Sequence, residues 1–104
     1  MLFAIGWVAD FYDPDYVLRV GVQEHQPGWR NEAYDDLIEK ARRVTDQAQR
    51  LALYSQADRI LMSEAVLIPM AYARGHRLVK PWVKRYPVSP RKNWFWKDVI
   101  IEPH

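Results

Sequence analysis

An apolar run from Leu2 to Ala9 ends on a carboxylate, Asp10, and three residues later the chain reads Asp13-Pro14-Asp15. A carboxylate that closes a strand, beside Trp7 and next to a helix start, has the chemistry to hold a small cation or an amine. A charge-assisted hydrogen bond between an ammonium and such a carboxylate contributes about 1.5–3 kcal/mol net. The competing role for Asp10 is structural, as a turn residue or the partner of an internal arginine. Asp13 and Asp15 are accounted for by helix-start chemistry: Asp13 as N-cap, Pro14 at the first helical position, and Asp15 where the helix dipole favours a negative charge. A calcium site from Asp10, Asp13 and Asp15 lacks the glycine and terminal glutamate of an EF-hand loop.

No catalytic constellation accompanies these residues. His25, His76 and His104 lack the four-residue helical spacing of paired metal ligands, and there is no His-Glu-x-x-His. Ser55, Ser63 and Ser89 stand in no Gly-x-Ser-x-Gly context. Asp35 and Asp36 fall in the first turn of a helix, where the dipole explains them. With no cysteine, a thiol nucleophile, a thiolate metal site and a disulfide are all excluded. The reading is a protein that is not an enzyme, with no catalytic residue, no metal and no cofactor. One rival rests on the last third of the chain, where Lys80, Lys84, Arg85, Arg91, Lys92 and Lys97 interleave with Trp82, Tyr86, Trp94, Phe95 and Trp96. Cations for phosphates and rings for stacking are what a single-strand nucleic-acid binder uses. No recognition signature supports it, and an acidic first portion opposes it. A basic, aromatic module for nucleic acid or a protein partner therefore stands as the alternative, and no nucleic-acid partner is expected.

The elements that must position Asp10 follow from the pattern. Leu2–Ala9 predicts a strand buried on both faces. A short helix runs from the Asp13 cap to about Leu18, and a loop covers Gly21 to Trp29. Asn31 caps a second helix whose apolar positions are Tyr34, Leu37, Ile38, Ala41 and Val44. Asp46 with Gln49 resembles a capping box and opens a third helix, striped by Leu53, Ala57, Ile60 and Leu61. The two make a helical hairpin with a very short turn. Val66–Ala73 predicts a strand with Pro69 at an edge or bulge. Leu78-Val79 continues a returning strand, Lys80–Lys92 is irregular, and Asp98–Glu102 is a final short strand.

Composition sets the frame. The 104 residues are the size of one domain, 49% hydrophobic and 27% charged, which is globular and not disordered. Net charge is +2, but residues 1–64 carry −4 and residues 65–104 carry +6. Leu2–Ala9 lacks the basic flank and small-residue cleavage site of a signal peptide, and no segment has transmembrane length.

Six motifs in order make the chain resemble the C-terminal end of the family 5 solute-binding proteins, the oligopeptide and dipeptide receptors of ABC importers. They are Trp7-Val8-Ala9-Asp10 with Asp13-Pro14, Tyr34-Asp35-Asp36-Leu37-Ile38, Arg50-Leu51-Ala52-Leu53-Tyr54, Ile68-Pro69, Arg77 to Val83, and Trp96 to Ile101. The resemblance implies an α/β fold: a fragment, residues 1–104, of the C-terminal lobe of a periplasmic-binding-protein-like fold, with a helical hairpin packed on a few strands. It implies a receptor that closes by hinge motion on a peptide held extended between two lobes. In that setting Asp10 holds the peptide α-ammonium, the backbone at Gly6 and Val8 pairs with the peptide main chain, and Trp7 lines the site. The implied partners are the peptide, the membrane permease of the importer and the remainder of the receptor. The implied location is the periplasm, or the cell exterior with a membrane anchor, with the signal sequence outside this chain. Receptors for nickel complexes and oligosaccharides in the same family are an alternative ligand class. Two departures stand out. Val8 occupies a position where some members have cysteine, so no disulfide forms there. Ala71, Tyr72 and Ala73 follow Met70 where some members have a run of tyrosines, which opens one pocket wall. A single piece of one lobe is expected to bind peptide weakly or not at all and to self-associate.

Overall fold

The computed structural model describes residues 2–87 and 96–104. It divides into two compact units, Met1–Met70 and Ala71–His104.

The first unit is helical. Asp13 caps its first helix: Oδ1 accepts from the Asp15 N–H at 2.8 Å, and the Asp13 carbonyl accepts from Tyr16 N at 3.1 Å. Helical backbone begins at Pro14, passes through a π-helical stretch, Tyr16–Gly21, and ends in a short α-helix, α1, Val22–His25. The loop expected over Gly21–Trp29 is thus helical through His25. Gly21 marks a close ring contact described below, not a break.

The two long helices form as expected. Asn31, in extended conformation, caps α2 (Glu32–Arg43) by accepting from Tyr34 N at 3.0 Å. Acidic Glu32 and Asp35 lie in its first turn, and Lys40, Arg42 and Arg43 in its last, each matching the helix dipole. Asp46 caps α3 (Gln47–Ser63) by accepting from Gln49 N at 2.8 Å. The helices bury Tyr34, Ile38 and Ala41 against Tyr54, Ala57 and Leu61, with Leu18 and Val22 from the first helical segment completing the core. The buried Tyr34 hydroxyl donates to the Leu18 carbonyl, which fixes that segment to α2. Burial raises the Tyr34 phenol well above its ordinary value.

The end of α3 is a Schellman motif. Ala65 N donates to the Met62 carbonyl at 3.1 Å and Val66 N to the Leu61 carbonyl at 3.3 Å. Ala65 takes the left-handed conformation, with φ of 51°. Val66 packs on the core beyond it. The Glu64 carboxylate then accepts from the Trp29 indole N–H at 2.7 Å and from the Asn31 side-chain amide. This contact ties the turn before α2 to the end of α3.

Three strand expectations are corrected. Leu2–Ala9, Val66–Ala73 and Leu78-Val79 enter no β-ladder among the described residues. Leu2, Phe3, Ile5 and Val8 are exposed, not buried on both faces. An apolar run becomes a strand only where a second backbone meets it, and none among the described residues does. Pro69 also removes a donor from the second run.

The second unit holds a small antiparallel sheet. Strand β1 (Val83–Arg85) pairs with β2 (Ile100–Ile101), with Val83 opposite Ile101, Arg85 opposite Ile100, and an irregularity between. The final strand was anticipated. β1 falls in a stretch read as irregular, because three residues between prolines carry little pattern. The helical hairpin therefore packs on the π-helical segment and α1, while the sheet belongs to the other unit.

Candidate functional site

The cap at Asp13 fixes where the first helix starts, and so which residues face the Leu2–Asp10 segment. A π-helix closes i→i+5 hydrogen bonds, which brings residue 21 over residue 16; at 3.6 residues per turn it would swing to another face. Tyr16 and Gly21 thus share one surface, and the Trp7 ring lies on it. Trp7 stacks on Tyr16, centroids 5.6 Å apart and planes 10° from parallel. A Cβ on Gly21 would stand 3.0 Å from the Trp7 ring edge, so a larger residue would push the ring a few tenths of an ångström from where it sits. The Trp7 indole N–H donates to Glu24 at 3.2 Å, and His25 meets the ring edge-on at 5.8 Å. His25 Nδ1 is 2.7 Å from the Gly21 carbonyl, a contact that needs the proton on Nδ1.

Asp10 is held from the same surface. The Tyr16 hydroxyl donates to Asp10 Oδ2 at 2.7 Å. Phe11 packs edge-on against the Tyr16 ring at 5.4 Å. The Asp10 carboxylate, as hydrogen-bond acceptor, raises the Tyr16 phenol above its ordinary value, and the charges on Asp10 and Glu24 add to this.

Of the four residues singled out by sequence, Trp7 and Asp10 thus converge on one tyrosine. Gly6 and Val8 flank Trp7 on exposed backbone that enters no ladder. The result is an open face with a ring stack and two carboxylates, Asp10 hydrogen-bonded to Tyr16 and Glu24 to Trp7. Its chemistry suits an amine: carboxylates for the charge, aromatic faces for the cation and its neighbours. Sequence reasoning missed Tyr16, Gly21 and Glu24. Their alignment depends on the π-helical turn, which leaves no 3.6-residue signature.

Other features are self-contained. A recess of about 240 Å³ beside α2 is lined by Arg19, Trp29, Arg30, Asp35 and Glu39 among others, none of them a predicted site residue. Arg19 is already paired with Asp15 at 2.7 Å. In the second unit Lys80 lies over the Trp82 ring at 5.7 Å and Arg77 over Tyr86 at 5.5 Å. Trp82 stacks on His104 at 4.3 Å. These cations and rings of the basic, aromatic stretch engage one another. Arg91, Lys92, Trp94, Phe95 and Ser89 lie outside the described residues. Among the described residues no group of three His, Cys, Asp or Glu could hold a metal ion. Among them, too, no helix is long and apolar enough to cross a membrane.

Comparison with known proteins gives a consistent set of relatives. The periplasmic oligopeptide-binding protein OppA of Escherichia coli K12 is 32% identical over 103 residues, covering 95% of this chain and 19% of that protein. The probable deoxycholate-binding periplasmic protein YgiS of the same organism is 33% identical over 108 residues, covering 100% of this chain and 20% of that protein. Di/tripeptide-binding protein 4 of Pseudomonas aeruginosa is 30% identical over 109 residues, covering 98% and 20%. These relatives are family 5 solute-binding proteins, and the chain is similar to them over nearly its whole length. It matches the C-terminal part of these relatives and spans about a fifth of the length of the curated relatives it matches. No family model matches the chain, and no solved structure does. These family 5 relatives are binding proteins, and several are periplasmic by name.

Proposed function

We propose that this chain supplies part of the ligand site of a periplasmic peptide receptor that serves an ABC importer, as a piece of its C-terminal lobe. The observation that carries the reading is the Asp10 carboxylate, oriented by Tyr16 beside the Trp7 stack at the end of an unladdered backbone run. In the receptor Asp10 anchors the peptide α-ammonium. The main chain at Gly6 and Val8 pairs with peptide backbone by strand addition, which recognises any sequence, and Trp7 lines the site. The partners are the peptide, the importer's permease and the remainder of the receptor.

One relative's name points to a bile acid instead. The flanking carboxylates Asp10 and Glu24 disfavour an anionic ligand here and favour a cationic end. The test is calorimetry on the intact receptor with Ala-Ala-Ala, N-acetyl-Ala-Ala-Ala and deoxycholate. Asp10→Asn is expected to weaken the free-amine peptide by ten-fold or more and to leave the acetylated peptide nearly unchanged. Equal losses for both peptides would rule out the ammonium role, and tight deoxycholate binding with no peptide binding would rule out the peptide reading.

A further inference from the structure

We propose that Tyr16 is a positioning residue of this site, fixing the Asp10 carboxylate through its hydroxyl and the Trp7 ring through its face. The inference rests on the ligand-site reading of Asp10 and Trp7 for its function, but its geometry stands apart from that reading. One side chain makes both contacts: a 2.7 Å hydrogen bond to Asp10 Oδ2 and a near-parallel stack on Trp7. Among the described residues Leu2–Ala9 enters no β-ladder, and Tyr16 contributes side-chain contacts that orient Asp10 and Trp7. Tyr16 itself sits on a segment that is firmly placed. That segment is capped by Asp13, held by Arg50 at 2.6 Å, and pinned to α2 through the Tyr34 hydroxyl on the Leu18 carbonyl.

The π-helical turn gives this arrangement its shape. It places Gly21 over Tyr16, and the missing side chain at Gly21 leaves a ledge for the far edge of the Trp7 ring. Glu24 closes the arrangement by accepting from the Trp7 indole N–H. A carboxylate held to one orientation binds an ammonium with less ordering penalty than one that must be immobilised on binding. Tyr16 therefore acts on ligand charge through Asp10, and on the wall of the site through Trp7.

Two measurements separate the positioning role from the ligand reading. The first uses this chain alone, with tyrosine ring carbons labelled and Tyr16 assigned by its loss in Tyr16→Phe. The groups facing the Tyr16 phenol are Asp10 and Glu24. The Tyr16 phenol is expected to titrate above the ordinary tyrosine range and to fall back toward it in Asp10→Asn, while Glu24→Gln moves it less. No change in Asp10→Asn would overturn the proposal.

The second measurement uses the intact receptor with Ala-Ala-Ala and its N-acetylated form. Tyr16→Phe keeps the ring and removes the hydroxyl, so it is expected to lose at least three-fold in affinity for the free-amine peptide alone. Tyr16→Ala is expected to lose affinity for both peptides, with Phe restoring the acetylated one. Equal losses for both peptides in Tyr16→Phe would reduce Tyr16 to a structural residue and overturn the proposal. A wild-type receptor blind to N-acetylation would sink the ammonium reading of Asp10; the phenol titration then decides the positioning role by itself.

Discussion

Arg50 and Asp13 stand 37 residues apart in sequence and meet at 2.6 Å between guanidinium and carboxylate. The same Asp13 oxygen accepts the Asp15 N–H, so one atom both starts the first helix and joins it to α3. The Tyr54 hydroxyl extends the link by donating to Asp15 at 3.3 Å, and Arg50 lies over the Tyr54 ring at 5.0 Å. Placement of Tyr16, one residue beyond Asp15, depends on this clamp.

Arg50→Met should loosen that clamp without unfolding the hairpin. Asp13 is 41% exposed, so solvent screens the pair, and its coupling to Arg50 is expected at about 0.5–1 kcal/mol. A double-mutant cycle with Asp13→Asn, read from urea midpoints, measures it. Coupling indistinguishable from zero would show that the pair is incidental.

The same contact fixes the acid limb of stability. The Arg50 hydrogen bond holds the Asp13 carboxyl below its ordinary value, ahead of the opposing effect of burial. A depressed folded value means that the unfolded chain binds the proton more readily. The stabilisation is therefore fully present above about pH 4 and is lost as pH falls through the lowered folded value. Thermal melts from pH 6 to pH 2 should show a steeper acid loss in the wild type than in Arg50→Met. For Tyr34 the sign is opposite: burial raises its phenol, so its contribution holds below about pH 10 and is lost as pH rises beyond.

Ala65→Gly should stabilise the protein. Ala65 holds the left-handed position of the Schellman motif, where glycine carries no Cβ penalty. The added flexibility of glycine in the unfolded chain offsets part of the gain, leaving about 0.5–1 kcal/mol. Denaturant midpoints check this, and a lower midpoint would contradict it.

Gly21→Ala should separate stability from site geometry. Alanine in a helix is better than glycine by up to about 1 kcal/mol. Yet its Cβ would come within 3.0–3.4 Å of three Trp7 ring atoms. Trp7 belongs to a run that enters no ladder among the described residues, so the ring gives way before the helix does. The melting temperature is expected to hold or rise while the Trp7 ring shifts by a few tenths of an ångström, read as changed Trp7 and Tyr16 ring chemical shifts and contact intensities in NMR spectra. Ring shifts and contact intensities unchanged from the wild type would show that the ledge at Gly21 is not needed.

This chain by itself should bind Ala-Ala-Ala weakly or not at all, because its site is one open face. Its exposed Leu2, Phe3, Ile5 and Val8 on unladdered backbone should drive self-association at high concentration. Calorimetry and sedimentation test the two statements. Micromolar affinity would contradict the first, and a clean monomer the second.

Local sequence determined what local chemistry controls. Asp13, Asn31 and Asp46 each carry a side-chain oxygen that satisfies an N–H at a helix start, and each caps as its type and position foretold. The stripe from Tyr34 to Ala41 has the 3.6-residue period of a buried helix face, so the hairpin was legible too. Asp10 and Trp7 stood out as the chemistry worth placing, and the ordered motifs carried the resemblance to the family. Tertiary structure decided the rest. Leu2–Ala9 has the composition of a strand but meets no partner among the described residues, and pairing is a property of two backbones. Tyr16, Gly21 and Glu24 join Asp10 and Trp7 only because a π-helical turn changes which residues share a face. The segment that carries the turn is held by the Tyr34 hydroxyl on the Leu18 carbonyl and by Arg50 on Asp13, contacts between residues far apart in the chain.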